Sequence, residues 1–380
     1  MAITGIICEY NPLHLGHKKQ LDLIRGTYPD DGVVCLMSGN FVQRGMPALF
    51  SKKLRAEAAV KCGADLVLEL PVTAALSSAE GFAAGGVAIL SGFCDRLCFG
   101  AESAEKEALL SAAKALLSED FSAFLRKELE KGLSFPAARQ NALTRMGIDG
   151  SLVTAPNNIL ATEYCKAILA QSSPMEPMPI LRQGDYHDDT PDPNNPSATA
   201  LRKLICQNGN WQGFVPAEAA ACFENGSRHT LQAGEQAILY RLRTMTDGEF
   251  EALPYGSEGL WRKLMHAART ESSLEGILEA TKSKRYTRTR LDRMVMCAFL
   301  GLTADMITAP APYVRVLAFN DRGREILKKA RLSGKFPNIG EVQDHPHQAL
   351  EDRCGDLYGL FCETGPEPPG TEKKARISHI

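Results

Sequence analysis

Two histidines, His14 and His17, with Gly16 between them, are the residues whose types and spacing most directly suggest chemistry. Residues three apart in the first turn of a helix share one face, so the two imidazoles would lie together. Gly16 would leave room for a flat base or a phosphate to approach the backbone. The N-terminus of a helix presents free N–H groups and the positive end of a dipole to an anion. The motif therefore predicts a site for a phosphorylated ligand; the alternative is two surface histidines at a helix start.

A strand followed by a helix must position this motif. The segment 3–8 is apolar and rich in β-branched residues, which predicts a buried strand that Asn11-Pro12 ends. From about residue 14 the apolar spacing is helical, with Leu21 and Ile24 on one face. In this setting the motif resembles that of the HIGH-motif adenylyl-transferring proteins, the nucleotidyltransferases and class I aminoacyl-tRNA synthetases. The resemblance implies that both histidines bind the triphosphate and the charge that develops when pyrophosphate leaves.

Length and composition indicate a soluble globular protein. The chain has 380 residues, enough for two domains, and is 44% hydrophobic and 23% charged. A formal net charge of -2 gives no general attraction to nucleic acid, so such a surface would have to be a local patch. No apolar run approaches the roughly 20 residues of a membrane span, and the first strand leaves no room for a signal peptide. The scattered cysteines form no Cys-x-x-Cys pair, which predicts reduced thiols in a cytoplasmic protein and assigns no residue to a metal.

The order of the elements predicts an α/β fold with a Rossmann-like parallel sheet. Strands are expected at 3–8, 32–37, 64–70, 95–99 and 177–182, and helices at 14–26, 48–62 and 78–91. We expect an ATP-binding catalytic domain over 1–205 with a helical insertion at about 103–147. Helical patterns then dominate, with one strand-like run at 313–319, so we expect a mainly α C-terminal domain over 206–380.

Ligands of an open parallel sheet bind beyond the carboxyl ends of its strands, so the residues that follow each strand are candidates. Gly100 follows the fourth strand and Arg182 ends the fifth. Ser197, Thr199 and Arg202 open a helix and offer hydroxyls, backbone amides and a guanidinium to a phosphate. The alternatives are a turn glycine, a surface ion pair and an ordinary helix cap at Ser197.

A basic segment in the second half could follow a phosphate backbone and stack a base on Tyr286. The cations of this segment are Lys282, Lys284, Arg285, Arg288, Arg290 and Arg293. We predict that they contact tRNA; the alternative is a solvated helix start.

Several longer blocks resemble the bacterial tRNA(Met) cytidine acetate ligases, over nearly the whole chain. They are 9–17 (EYNPLHLGH), 37–45 (MSGNFVQRG), 63–71 (GADLVLELP), 156–160 (PNNIL), 286–290 (YTRTR) and 313–317 (YVRVL). The resemblance implies a nucleotidyltransferase-type sheet and ATP-dependent activation of acetate to acetyl-adenylate. The acetyl group would then pass to the wobble cytidine of elongator tRNA(Met), giving N4-acetylcytidine, with no protein partner implied.

By the same resemblance ATP would contact one continuous segment and three further residues. These are Ile7, Cys8, Glu9, Tyr10, Asn11, Pro12, Leu13, His14, Leu15, Gly16, His17, Lys18, Lys19 and Gln20, together with Gly100, Asn157 and Arg182. We predict His14 and His17 as the catalytic pair, and Mg²⁺ arriving with ATP on its phosphates and water. The Gly-Pro-rich insert at 365–369 departs from the family.

The loop after the second strand carries an amide and a guanidinium, Asn40 and Arg44, which suit a small carboxylate. We therefore hypothesise that this loop faces acetate. The alternatives to the acetate ligase are an adenylyltransferase acting on a phosphorylated small molecule and an RNA-binding protein with a vestigial nucleotide site. A synthetase relic is disfavoured because the chain has no Lys-Met-Ser-Lys-Ser element.

Overall fold

A mostly parallel β-sheet frames the molecule. The computed structural model describes residues 1–182, 192, 196–283, 286–308, 314–333 and 346–380. Its strands are β1 (Ile3–Cys8), β2 (Gly32–Ser38), β3 (Phe41–Val42), β4 (Met46–Pro47), β5 (Leu66–Leu70), β6 (Arg96–Ala101), β7 (Glu176–Leu181), β8 (Arg315–Phe319) and β9 (Ser378–His379). Among the described residues, seven of these form one sheet in the order β7-β6-β1-β2-β5-β8-β9, and β3 and β4 form a small hairpin.

Helices pack on both faces of the sheet. The first half contains α1 (Leu15–Thr27), α2 (Lys52–Lys61), α3 (Val72–Ala75), α4 (Ala79–Leu90), α5 (Lys106–Leu116), α6 (Glu119–Glu130), α7 (Phe135–Arg145), α8 (Pro156–Ala170) and α9 (Ala198–Cys206). The second half contains α10 (Ala217–Phe223), α11 (Glu235–Thr244), α12 (Asp247–Glu251), α13 (Leu260–Thr270), α14 (Leu274–Thr281), α15 (Arg288–Leu300), α16 (Ala304–Thr308), α17 (Asp321–Ser333), α18 (Pro346–Tyr358) and α19 (Thr371–Lys374). Within these described segments, no helix combines the length and the apolar character that a bilayer span needs.

The central strand β1 marks the point where the strand order reverses. It pairs in parallel with β2 on one side, through Thr4 opposite Val33, and with β6 on the other, through Gly5 opposite Leu97. The chain first extends the sheet through β2 and β5 and then returns across β1 to add β6 and β7. A crevice therefore opens at the carboxyl ends of β1 and β6, which is where such sheets bind ligands.

The predicted α/β fold with a parallel sheet is confirmed, and the five predicted strands are present within one or two residues. The second predicted helix begins later than expected, at Lys52, because Ser51 caps it and the preceding residues form the β3–β4 hairpin. Helices α5 to α7 occupy the predicted insertion at 103–147.

The strand-like run expected in the helical C-terminal part lies in the sheet instead. Residues Arg315–Phe319 pair antiparallel with β5, and Ser378–His379 pair with them in turn. Because Val316 and Ala318 are buried there, the run covers the otherwise open edge of β5. Both halves of the chain thus supply strands to one sheet, and the division at residue 205 stays a prediction.

Apolar side chains fill both faces of the sheet. Leu36 and Leu68 pack on one face with helices α4, α5 and α8, whereas Leu21 and Ile24 of α1 pack on the other with Val33. A separate cluster joins helices α11 to α15. The predicted apolar face of α1 is therefore the face that fixes the His-x-Gly-His motif against the sheet.

Candidate functional site

The His-x-Gly-His motif is held by its own backbone at the start of α1. His14 is the N-cap residue, and its Nδ1 accepts a hydrogen bond from the Gly16 N–H at 3.1 Å. The His17 Nδ1 accepts from the His14 N–H at 3.3 Å. Because each Nδ1 is an acceptor, a neutral ring carries its proton on Nε2. The motif therefore presents two imidazole N–H donors of fixed orientation.

Both rings are neutral at physiological pH because they are largely removed from water, His14 being buried and His17 half-buried. The rings stack with centroids 3.7 Å apart, and His14 is 1% exposed. Burial, together with the charges of Arg182 and Arg202, lowers the pKa of His14 to about 3. Burial, His14 and Arg182 lower the pKa of His17 well below its usual value. The His14 Nε2 is buried and has no hydrogen-bond partner among the described residues, so its donor is not committed to another protein group.

A cavity of about 990 Å³ opens in front of these rings, at the carboxyl ends of β1, β6 and β7. It brings together most of the predicted nucleotide-binding residues: Ile7, Cys8, Glu9, Tyr10, Asn11, His14, Gly16, His17, Lys19, Gln20, Gly100, Asn157, Arg182, Ser197, Thr199 and Arg202. Four predicted residues do not line it. Leu13 is fully buried in the core, and Lys18 pairs with Asp22 on the exposed side of α1. The other two are Pro12 and Leu15.

Two arginines line the cavity on the side facing the histidines. Arg182 donates to the Asn157 Oδ1 at 3.1 Å, and Arg202 donates to the Asn11 carbonyl at 2.8 Å. The sequence missed Glu102, whose carboxylate accepts from the Asn157 side-chain amide at 2.7 Å. These contacts hold both guanidiniums beside the histidines, in the lining of the cavity. The arrangement suits a polyanion.

The loop after β2 is divided between two environments. Arg44 lines the cavity. Asn40 does not, because its Oδ1 accepts from the Lys52 N–H at 2.9 Å and its Nδ2 donates to Glu372 at 3.2 Å. The hypothesis that both side chains face one carboxylate ligand is therefore not supported for Asn40, whereas Arg44 stays a candidate.

A fully buried arginine that the sequence did not single out fastens this loop to the sheet. The Arg55 guanidinium donates to the carbonyls of Glu9 at 2.6 Å, Ser38 at 3.1 Å and Phe50 at 2.9 Å, and also to Gly39. It thereby joins the carboxyl ends of β1 and β2. The signal in the sequence is a lone arginine on the apolar face of α2.

Asn40 belongs to a buried charged cluster beside the cavity. Lys52 lies 2.7 Å from Glu69 and 2.8 Å from Glu372, and Arg315 lies 2.9 Å from Glu372. Burial alone would lower the pKa of Lys52, but Glu69 and Glu372 more than offset this and raise it. The cluster therefore connects the start of α2, β5, β8 and the C-terminal α19.

Glu351 in this cluster predicts a pH dependence of stability. Burial, and secondly Glu69, raise its pKa from 4.5 to about 7, so the folded state holds a proton that the unfolded state releases. The free energy of unfolding contributed by this group therefore falls as pH rises from about 4.5 through about 7. We expect Glu351→Gln to stabilise the protein at pH 8 and to change little at pH 5, as measured by urea denaturation at both values. Equal effects at the two pH values would contradict this assignment.

The basic segment is not a uniform cationic surface. Lys284 and Arg285 lie outside the described residues. Lys282 lies 3.3 Å from Glu279. Arg288 donates to both oxygens of Glu275 at 2.7 Å and to Asp292 at 2.8 Å, and Glu275 in particular raises its pKa. The charge of Arg288 is therefore locally neutralised.

The other two arginines of this segment have different surroundings. Arg290 donates to the Tyr255 carbonyl at 2.7 Å and lies 4.8 Å from the centre of the Tyr286 ring. Arg293 lies over the Tyr255 ring at 5.2 Å and lines the large cavity, together with Thr287 and Thr289. The start of α15 is thus a wall of the cavity that the histidines face.

A glycine brings the Arg44 loop onto α15. Gly45 has a φ of +77°, and a Cβ there would lie 2.4 Å from the Arg293 backbone nitrogen. Only glycine meets both conditions without displacement of the backbone. The hairpin that carries Arg44 therefore contacts α15 directly. The predicted nucleotide-binding residues and the start of α15 line the same cavity.

Comparisons with known proteins identify the family. Residues 1–368 match the HIGH Nucleotidyl Transferase family. A tRNA(Met) cytidine acetate ligase of Clostridium novyi is 38% identical over 357 residues, which cover 89% of each chain. The ligase of that name from Clostridium perfringens is 36% identical over 92% of each chain.

Solved structures agree with the sequence relatives. The crystal structure of apo Thermotoga maritima TmcAL superimposes with a TM-score of 0.92 at 29% identity, covering all of both chains. The same protein bound with alpha-thio ATP superimposes with a TM-score of 0.90, also over both whole chains. The chain belongs to the tRNA(Met) cytidine acetate ligase family of HIGH nucleotidyl transferases.

Proposed function

We propose that this protein is an ATP-dependent acetate ligase that acetylates the wobble cytidine of elongator tRNA(Met) through acetyl-adenylate. The observation that carries the proposal is the single cavity in which neutral His14 and His17, two arginines and the start of α15 meet. The family relatives bear the corresponding name, and the Thermotoga maritima protein binds alpha-thio ATP.

The first step would be attack of an acetate oxygen on the α-phosphorus of ATP. The new bond joins acetate to AMP, and the bond to the β-phosphate breaks, with its electron pair leaving on pyrophosphate. The Nε2–H donors of His14 and His17, with Arg182 and Arg202, surround the space for a triphosphate at the α1 N-terminus. Donors already in place stabilise the charge that develops on the leaving group without reorganisation.

The second step would be attack of the cytidine N4 amine on the acetyl carbonyl carbon. The bond between the carbonyl carbon and the phosphate oxygen of AMP breaks. AMP leaves as the anion, and the amine loses one proton. Because the acyl group is already activated, positioning of the amine against it supplies most of the acceleration. The wall formed by Thr287, Thr289 and Arg293 is where the base would enter.

Magnesium would bind with the nucleotide rather than in a protein cage. Among the described residues that line the cavity, Glu9 is the one carboxylate, and its Oε1 accepts from the Gln43 N–H at 2.9 Å. One carboxylate plus phosphate oxygens and water is a donor set that Mg²⁺ accepts. Mg²⁺ would supply charge neutralisation on the triphosphate.

An enzyme that modifies tRNA would act in the cytoplasm, which agrees with cysteines that are all unpaired.

The transfer itself is tested with labelled acetate, ATP and a transcript of elongator tRNA(Met). We expect one acetyl group per tRNA, located on the wobble cytidine. A matched transcript with uridine at that position should accept none. Acetylation of both transcripts, or of neither, would contradict the proposed acceptor.

Arg44 is the candidate for the acetate carboxylate. We expect Arg44→Ala to raise the KM for acetate by about 10- to 100-fold, the effect of losing one hydrogen bond to a charged group. The KM for ATP should change little, since Arg44 is carried by the β3–β4 hairpin and not by the start of α1. Steady-state pyrophosphate exchange over a range of acetate concentrations measures both constants. An unchanged KM for acetate would remove Arg44 from the site.

The basic segment predicts a difference between two neighbouring arginines. The described partners of Arg290 are carbonyl and hydroxyl oxygens, which leave its charge unneutralised, whereas Arg288 faces Glu275 and Asp292. We expect Arg290→Ala to reduce the slope of log affinity for tRNA against log salt by about one, and Arg288→Ala to leave it nearly unchanged. Filter binding between low and moderate salt measures both slopes. If Arg290→Ala leaves this slope unchanged, the segment is an ordinary solvated surface.

A further inference from the structure

A second cluster of metal-ligating side chains lies away from the cavity, where residues 226–230 meet residues 359–367. His229, Cys362 and Glu367 place an imidazole nitrogen, a thiol sulfur and a carboxylate oxygen all within 4.8 Å of one another. None of the three lines the nucleotide cavity. We propose that they form a structural site for a thiophilic divalent cation, with Zn²⁺ as the ion that fits.

The main chain places these ligands together before any ion binds. His229 and Cys362 face each other as an isolated antiparallel bridge. On either side of it, the Thr230 N–H donates to the Phe361 carbonyl at 2.9 Å and the Glu363 N–H donates to the Arg228 carbonyl at 2.9 Å. The Glu367 N–H donates to the Gly359 carbonyl at 3.1 Å, which returns its side chain to the same place. A preformed site of this kind lowers the ordering cost of binding.

The burial and hydrogen bonding of His229 suit a metal ligand. It is 2% exposed, and neither ring nitrogen has a hydrogen-bond partner of good geometry among the described residues. Buried polar atoms are nearly always satisfied, so an exception calls for an explanation.

The position of Glu367 fits a shared ion better than a direct bond. Its Oε2 lies 3.3 Å from the His229 Nε2, within ion-pair distance, although the geometry is not that of a hydrogen bond. Two ligands about 2.0–2.1 Å from one tetrahedral zinc lie about 3.3 Å apart. The Cys362 Sγ, 5% exposed as a residue, completes three ligands, and water can take the fourth position beside the part-exposed carboxylate.

The ligand chemistry selects the class of ion. A thiolate and an imidazole favour Zn²⁺ over Mg²⁺ or Ca²⁺, which take oxygen ligands. Binding would release the Cys362 thiol proton, because the thiolate is the ligand.

The site would fasten the C-terminal segment to the back of the nucleotide cavity. The His229 ring stacks on Tyr358 at 3.9 Å, and the Tyr358 hydroxyl donates to the Ala48 carbonyl at 2.8 Å. The His229 N–H donates to the Leu49 carbonyl at 2.8 Å, and the Leu49 N–H donates to the Asn11 Oδ1 at 2.8 Å. Two hydrogen bonds thus separate the ligand from a cavity residue, so the role is structural rather than catalytic.

The test uses the full chain without an affinity tag, purified under reducing conditions and freed of metal with a chelator. Zn²⁺ is then titrated into the protein in competition with a chromogenic chelator. We expect one Zn²⁺ per chain and, with Co²⁺ instead, a thiolate-to-cobalt charge-transfer absorption. Cys362→Ser and His229→Gln should each weaken Zn²⁺ binding by at least roughly 10- to 100-fold. Mutation of residues that only contact metal ligands already has an effect of this size. The cobalt absorption should disappear in Cys362→Ser.

Cys354→Ser is the matched control, because Cys354 is equally buried but lies outside the cluster. This variant should keep both the wild-type affinity for Zn²⁺ and the thiolate-to-cobalt absorption. If His229→Gln does not fold, Glu367→Gln replaces it, since that side chain is 31% exposed. The proposal is overturned if the wild-type chain binds no zinc above background, or if zinc binding survives Cys362→Ser unchanged.

Discussion

Replacing His14 by asparagine is expected to lower the rate of acetyl-adenylate formation by about 10²- to 10³-fold, the effect of removing one preorganised donor from a charge-stabilising site. Asparagine is a good N-cap residue, so it can still accept from the Gly16 N–H and keep the start of α1. It has no donor at the position of the buried, unpartnered Nε2 of His14, a residue that lines the cavity. ATP–pyrophosphate exchange in the presence of acetate measures the rate.

Alanine at the same position separates catalysis from folding. His14→Ala should show the same kinetic loss and in addition lower the free energy of unfolding by about 1 kcal/mol, because the cap is lost. If His14→Asn instead keeps the wild-type rate, His14 only caps the helix and the proposed role of its Nε2–H is wrong.

Replacing Lys52 by methionine is expected to lower the free energy of unfolding by about 3–5 kcal/mol. The change keeps the length of the side chain but removes one cation from the buried carboxylates of Glu69 and Glu372, which lie 2.7 and 2.8 Å from the Lys52 Nζ. Arg315 then remains as the charged partner of both among the described residues. Removing one partner of a buried ion pair is costly because the remaining charge has been taken out of water. Urea denaturation at pH 7 measures the loss.

The matched control is Lys106→Met, which removes the same charge from a solvated pair. Lys106 contacts Glu176, with side chains 32% and 61% exposed, and such pairs contribute less than about 1 kcal/mol. Equal destabilisation by the two substitutions would show that the buried cluster contributes no more to the free energy of unfolding than a solvated ion pair does.

The sheet and the placement of the His-x-Gly-His motif at a helix start could be predicted because both depend on local sequence patterns. The apolar run 3–8, the break at Asn11-Pro12 and the helical spacing after His14 each act over a few residues. The hydrogen bonds that orient the two imidazoles likewise join residues two or three positions apart. A motif that fixes its own geometry in this way is visible without knowledge of the rest of the fold.

The failures fall where distant residues decide the outcome. Asn40 turns away from the cavity because it contacts Glu372, which is 332 positions further along the chain. The edge strand Arg315–Phe319 joins the sheet because β5 needs a neighbour, a requirement that its own sequence does not express. The same holds for His229 and Cys362, whose spacing matches no metal motif and which meet only because two distant segments form a bridge.

The basic segment shows a second reason, because the sequence does not reveal which charged side chains are neutralised by neighbours in the folded protein. Arg288 and Arg290 look equivalent in the sequence, but Glu275 reaches Arg288 from the start of α14 and does not reach Arg290. That Arg293 faces the nucleotide cavity also depends on the contact between Gly45 and α15. The division of roles among these arginines therefore follows from the fold.

The most direct test of the proposed function is exchange of labelled pyrophosphate into ATP by the wild-type protein, with acetate present or absent and with tRNA present or absent. Exchange reverses the adenylation step, so it reports acetyl-adenylate formation without requiring transfer. We expect exchange that depends on acetate and is lost in His14→Asn. No exchange with acetate, whether or not tRNA is supplied, would contradict the adenylate mechanism.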